Sequence, residues 1–247
     1  VLLLAPPILN YSALGRADHH TLIFLAIMLA LGAALRCLRP GARLAPALAL
    51  GGLIGFGLWL SIEFALPAAL LCGMLVLAWL DGDEDLRART RQLFALGAAL
   101  LATLTAALAI ERAPGAWFAV EYDKLSIVHL TVAGVGFLAL SALMALPLKP
   151  RAPLRQLEAL GALGLLGGAV LLWAFPLLLA GPMAEVDPLM RRLFVDRVVE
   201  MQPLWPNSLA RAENFIRHLG LVLIALPVTA GLATRAKDRR EARLWAL

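Results

Sequence analysis

Long apolar stretches dominate this chain, and any of them that reaches about 17 to 25 residues is long enough to cross a bilayer as a helix. Seven can be drawn, at 21–38, 46–62, 65–80, 93–110, 127–148, 157–180 and 218–234. With 61% hydrophobic and 16% charged residues, and a mean hydropathy of +0.82, too little polar side-chain surface exists to cover a soluble globule. The expected fold class is therefore all-α: a polytopic transmembrane helical bundle of about seven spans, forming a single transmembrane domain over 1–247. The opening VLLLAPPIL is too short to cross before Asn10 and Tyr11 and has no basic region ahead of it, so it reads as the end of a partial N-terminal span rather than a signal peptide.

The net charge of +5 does not point to nucleic acid, because the basic residues lie in short groups between spans, where they set topology. Assigning alternate loops to opposite sides collects fourteen of the 22 Lys and Arg on one face: Arg36, Arg39 and Arg43, then Arg87, Arg89 and Arg91, then Lys149, Arg151 and Arg155, and five from Arg235 to Arg243. The positive-inside rule makes that face cytoplasmic. The opposite, outer face then carries Asp18, Glu63 and the segments 111–126 and 181–217. Glu63 and Pro67 are expected to form a tight turn between two spans, while Pro176 and Pro227 fall inside spans and are expected to kink them. Cys37 and Cys72, in or beside spans, indicate neither a disulfide framework nor a thiolate metal site.

Two outer segments contain the residues of chemical interest. Asp18, His19 and His20 stand together directly before the first long span. Residues two apart point about 200° apart on a helix but to one side of an extended segment, so Asp18 and His20 converge on one ion only in the loop before the helix begins. Gly15 eases such an approach. A carboxylate with an imidazole suits a divalent cation; the competing reading makes Asp18 a helix N-cap and the histidines polar residues in the headgroup region. In the segment 181–217, Leu189, Met190, Leu193, Phe194, Val195, Val198 and Val199 recur at helical spacing, so 188–201 reads as an amphipathic helix on the membrane surface. Pro203 and Pro206 stop it, leaving Glu200 near its end.

Gly15-Arg16-Ala17-Asp18-His19-His20, leading into a transmembrane helix, resembles the second acidic motif of the oligosaccharyltransferase catalytic subunit, particularly the archaeal form, and of related bacterial GT-C membrane glycosyltransferases. The resemblance implies Asp18 and His20 as ligands of a catalytic divalent metal, Mn²⁺ or Mg²⁺, with His19 beside them. Arg197-Val198-Val199-Glu200-Met201-Gln202-Pro203, with Trp205 beyond, is similar to the external-loop motif of the same subunit, which implies that Glu200 reaches the active site and helps bind the acceptor. Arg197 stands where that family has Ser or Thr. A polyprenyl-phosphate or pyrophosphate-linked sugar donor follows from the resemblance. So do an acceptor that is a protein, lipid or glycan, and a site on the outer face of a bacterial or archaeal plasma membrane. His19, Glu63, Arg197 and Gln202 are the candidate substrate-binding residues.

Other classes predict different patterns. A secondary transporter would place charges near the midplane of its spans, and these spans are nearly free of charge. A non-catalytic membrane subunit would need none of the named residues, and a metal-dependent lipid phosphatase would release the sugar to water. The segment 111–126, where Glu111, Arg112, Glu121, Tyr122, Asp123 and Lys124 flank Trp117 and Phe118, reads as an aromatic belt with polar flanks. His129 reads as a hydrogen-bonded interior residue. Asp81, Asp83, Glu84 and Asp85 read as a solvated loop, since an EF-hand spacing is not continued. No phosphate-binding glycine loop, nucleophile elbow or His-Glu-x-x-His pattern occurs.

Overall fold

The computed structural model describes residues 20–39, 41, 43–80, 86–147, 152–181 and 187–190. The described residues are helical or in turns, with no strand among them. The helices are α1 (His20–Cys37), α2 (Leu44–Leu60), α3 (Ala65–Leu80), α4 (Leu86–Glu111), α5 (Ile127–Ala145) and α6 (Pro153–Ala174), followed by a helical turn at Pro188–Met190. Among the described residues, five helical segments are long and apolar enough to cross a membrane, and α2 is a shorter apolar helix. Lengths and compositions of this kind suit an integral membrane protein. The expected seventh span at 218–234, with Pro227, lies outside the described residues, as does all of the expected helix 188–201 beyond Met190.

The chain divides into two compact units, one over Leu22–Glu185 and one formed by Val1–Thr21 with Val186–Leu247. Of the second unit, only His20, Thr21 and residues 187–190 are described.

Local chemistry sets the helix limits in the first unit. Ser126 caps α5, its hydroxyl accepting the Val128 N–H at 3.2 Å. Pro153 opens α6, where its missing N–H costs nothing. The α6 helix ends at Ala174, so Pro176 lies beyond it and does not kink a span; the residue before a proline is driven out of helical backbone, and here Phe175 is non-helical. Pro67 likewise sits in the first turn of α3, and the turn between α2 and α3 is made by Ser61–Phe64, with Ser61 extended and its hydroxyl accepting the Glu63 N–H at 3.2 Å. Phe64 is fully buried there against Gly57, where any side chain would occupy the space of its ring.

Helix pairing depends on small residues, as expected where lipid supplies no hydrophobic force between helices. The buried stripe of α1 is Ile23, Ala26, Ala30, Ala33, Ala34 and Cys37, four of them alanine. On α2, Gly51 and Gly55 lie four apart against α4: a Cβ on Gly51 would strike the Leu96 carbonyl, and one on Gly55 would lie 2.8 Å from Thr103 Cβ. The outward faces are equally apolar, with Leu165 79% and Trp173 85% exposed on α6. A helix that is apolar all round is a membrane or deep-core helix, not a surface helix of a soluble domain.

Buried polar contacts fasten the end of the unit where α2 and α4 begin. Gln92 Nε2 donates to the Cys37 carbonyl at 3.3 Å and the Arg43 carbonyl at 3.2 Å, so one side chain satisfies groups flanking the α1–α2 connection. Trp79 Nε1 donates to Thr90 Oγ1 at 2.9 Å, and that hydroxyl donates to the Leu86 carbonyl, tying the end of α3 to the start of α4.

Candidate functional site

Of the residues singled out from the sequence, His20 and Glu63 are described; Asp18, His19, Arg197, Glu200 and Gln202 lie outside the described residues. His20 is the first residue of α1, half-buried, and belongs to the second unit. Glu63 is exposed in the turn before α3, in the first unit. Among the described residues, no group of three or more His, Cys, Asp or Glu side chains could hold a metal ion. An imidazole at the start of a helix suits a divalent cation as a single donor, and the other donor implied with it, Asp18, lies outside the described residues.

The described chemistry gathers at the end of the first unit where α2, α4 and α6 finish and α3 and α5 begin. There the connection from α4 to α5 is held by polar contacts. Arg112 forms an ion pair with Glu121 and donates to the Leu125 carbonyl at 3.0 Å. Lys124 Nζ lies 3.1 Å from the other Glu121 oxygen. Trp59 Nε1 donates to Glu111 at 3.0 Å, linking the ends of α2 and α4, and Trp117 Nε1 donates to the Arg112 carbonyl at 2.9 Å. The hydrogen bond from Arg112 holds the Glu121 carboxyl below the ordinary carboxylate range, against partial desolvation and with help from Lys124; the same bond raises the pKa of Arg112. This segment is thus an ordered ion-pair cluster, whereas the sequence pattern alone read as an aromatic belt.

Beneath it lies a half-open cleft of about 390 Å³. Its walls come from the C-terminal halves of α2 and α4 and the N-terminal halves of α3 and α5, and it is closed by Leu178 and Gly181 after α6. The lining is apolar apart from Tyr122 and His129. Ser126 Oγ accepts the Val128 N–H, lies 3.4 Å from His129 Nδ1, and donates to the Glu121 carbonyl. Because a hydroxyl has one hydrogen, and the carbonyl takes it, the Ser126–His129 contact requires Nδ1–H as donor. That leaves His129 Nε2 as the ring atom available to a ligand, an acceptor in the neutral form and a donor in the imidazolium. The Ser126 hydroxyl itself is committed to capping and cannot act as a nucleophile.

Compared with known protein families, with curated proteins and with solved structures, the chain has no match. The cleft was not foreseen from the sequence. His129 and Cys72 were noted singly, but nothing in a linear pattern brings Tyr122, His129 and the α2–α4 helices to one cavity.

Proposed function

We propose that this chain belongs to a divalent-metal-dependent glycosyltransferase of the GT-C type. It would move a sugar or glycan from a polyprenyl-phosphate or pyrophosphate donor to a protein, lipid or glycan acceptor at the outer face of a bacterial or archaeal plasma membrane. The observation that carries the proposal is the apolar cleft with polar groups confined to Tyr122 and His129, at the same end of the unit as Glu63 and the Arg112–Glu121 cluster. A donor whose chain stays in hydrocarbon while its phosphate reaches a polar edge needs such a cleft. The two sequence motifs supply the rest. Asp18 and His20 would hold Mn²⁺ or Mg²⁺, which when bound supplies a Lewis acid toward the departing phosphate. Glu200 would orient or polarise the acceptor nucleophile, and His19, Glu63, Arg197 and Gln202 would bind substrate. The reading predicts transfer of a labelled sugar from a polyprenyl-linked donor to an acceptor; release of that sugar to water alone would instead support a lipid phosphatase.

A further inference from the structure

One end of the first unit carries charge that its helices do not need. Gln92 Nε2 donates to both the Cys37 and Arg43 carbonyls, so the α1–α2 connection is folded against the first turns of α4. The connection turns tightly, with the Arg39 N–H donating to the Arg36 carbonyl at 3.3 Å. Arg36, Arg39, Arg43 and Arg89, the last one helical turn before Gln92, therefore have their backbones around a single clamp. Arg36, in the last turn of α1, suits the negative pole of that helix. Arg43 does the opposite: it occupies the N-cap of α2, its side chain makes no cap hydrogen bond, and the first turn of that helix has no acidic residue to offset a cation at the positive pole. Arg87 repeats the mismatch in the first turn of α4. Among the described residues, ion pairs reach Arg112 and Lys124 but none of these arginines. There, too, the buried Arg89 Nε has no hydrogen-bond partner.

Membrane topology asks only that arginines stand on one side of the bilayer. It gives no reason to bury a guanidinium nitrogen or to set a cation at the start of a helix. A phosphodiester anion answers both, accepting hydrogen bonds from arginine and from the N–H groups at the start of α2. The surface beside the arginines is apolar, since Leu44 and Leu48, one turn apart on α2, are 46% and 47% exposed. Basic charge at a helix end with exposed leucines running away from it fits an amphiphile better than a free ion.

We propose that Arg39, Arg43 and Arg89 bind the phosphate of an acidic phospholipid whose acyl chains run along Leu44 and Leu48 of α2. The site lies at the end of the unit where α2 and α4 begin, opposite the cleft, and does not depend on the transferase reading.

The test uses the full chain purified in dodecyl maltoside, with thermal unfolding followed as lipid is added. Phosphatidylglycerol should raise the melting temperature saturably, because a ligand of the folded state alone stabilises it, and phosphatidylcholine at the same mole fraction should not. The double variant Arg39→Gln, Arg43→Gln should need about tenfold more phosphatidylglycerol for half the effect. Both side chains are exposed, and Gln92 holds only the Arg43 carbonyl, so the clamp survives the change. Arg155→Gln, which also removes positive charge but on α6, a helix that packs chiefly on α5, should leave the midpoint unchanged. Native mass spectrometry of the wild type from an equimolar lipid mixture should show phosphatidylglycerol retained in preference to phosphatidylcholine, a readout that needs no variant. Equal stabilisation and equal retention of the two lipids would show that acids of the chain itself neutralise the arginines. The same effect from inorganic phosphate would make this a site for a free anion, and an equal shift in Arg155→Gln would make it diffuse surface charge. Each of these results overturns the proposal.

Discussion

Arg112 and Glu121 form an ion pair that spans the connection between α4 and α5, and because Arg112 Nη2 also donates to the Leu125 carbonyl, the pair fixes the approach to the Ser126 cap and to His129. The polar edge of the cleft is therefore positioned by a salt bridge, not by apolar packing alone.

That dependence sets a pH response. The Glu121 carboxyl is held below its ordinary value of 4.5, first by the Arg112 hydrogen bond. A depressed folded-state pKa gives stabilisation that is fully present above the unfolded value and is lost as pH falls through the folded one. The protection factors of residues 112–126, taken relative to intrinsic exchange at each pH, should therefore be flat from neutral pH down to about pH 5 and should fall at lower pH. Glu121→Gln should show the low protection at every pH. Equal protection in the two proteins at neutral pH would show that the pair does not order the segment.

The glycine contact between α2 and α4 is equally open to test. Gly51→Leu forces a side chain into the Leu96 carbonyl, whereas a Cβ on the adjacent Gly52 meets only Thr103 Oγ1 at 3.8 Å. Overpacking of this kind costs about 1–3 kcal/mol, so Gly51→Leu should lower the melting temperature in detergent clearly, and Gly52→Ala should leave it nearly unchanged. Similar losses in both would contradict the close approach.

Two buried amides should respond in opposite directions. Gln92 is 3% exposed and satisfies two backbone carbonyls, so Gln92→Leu should destabilise by about 1–3 kcal/mol, the range for leaving buried acceptors unpaired. Gln156 is fully buried on α6 and, among the described residues, neither its Nε2 nor its Oε1 has a hydrogen-bond partner. Gln156→Leu should therefore stabilise, by a similar about 1–3 kcal/mol from removing an unmet desolvation cost. Thermal unfolding of both variants checks the pair of signs at once.

The apolar helices were legible in the sequence because hydropathy acts locally: each of the first six expected stretches overlaps one of α1 to α6, although α2 is shorter than the other apolar helices and only five described segments are long enough to cross a membrane. The limits were less so. The fourth helix begins at Leu86 instead of near 93, since Arg87, Arg89 and Arg91 continue helical backbone while their long side chains can extend toward a polar interface. Pro176 was expected inside a span and lies after the end of α6, because a helix can terminate within an apolar run without any change in hydropathy. The cleft was not legible. Its walls depend on which faces of four helices meet, and that is set by Gly51, Gly55 and Gly57, which carry no hydrophobic signal. The ion pair from Arg112 to Glu121 was hidden for a related reason, as charges nine residues apart meet only once the intervening turns are placed. Of the candidate site residues, His20 and Glu63 are described, and each occupies the end of a helix or a turn, where a polar group does not have to lie in hydrocarbon.

The transferase reading is tested most directly by incubating the intact membrane protein with a radiolabelled polyprenyl-linked sugar, a divalent metal and candidate acceptors, alongside Asp18→Ala and Glu200→Gln. The account predicts label in the acceptor for the wild type and loss of transfer in both variants, with membrane insertion unchanged. Full transfer by both variants, or label recovered only as free sugar, would contradict it.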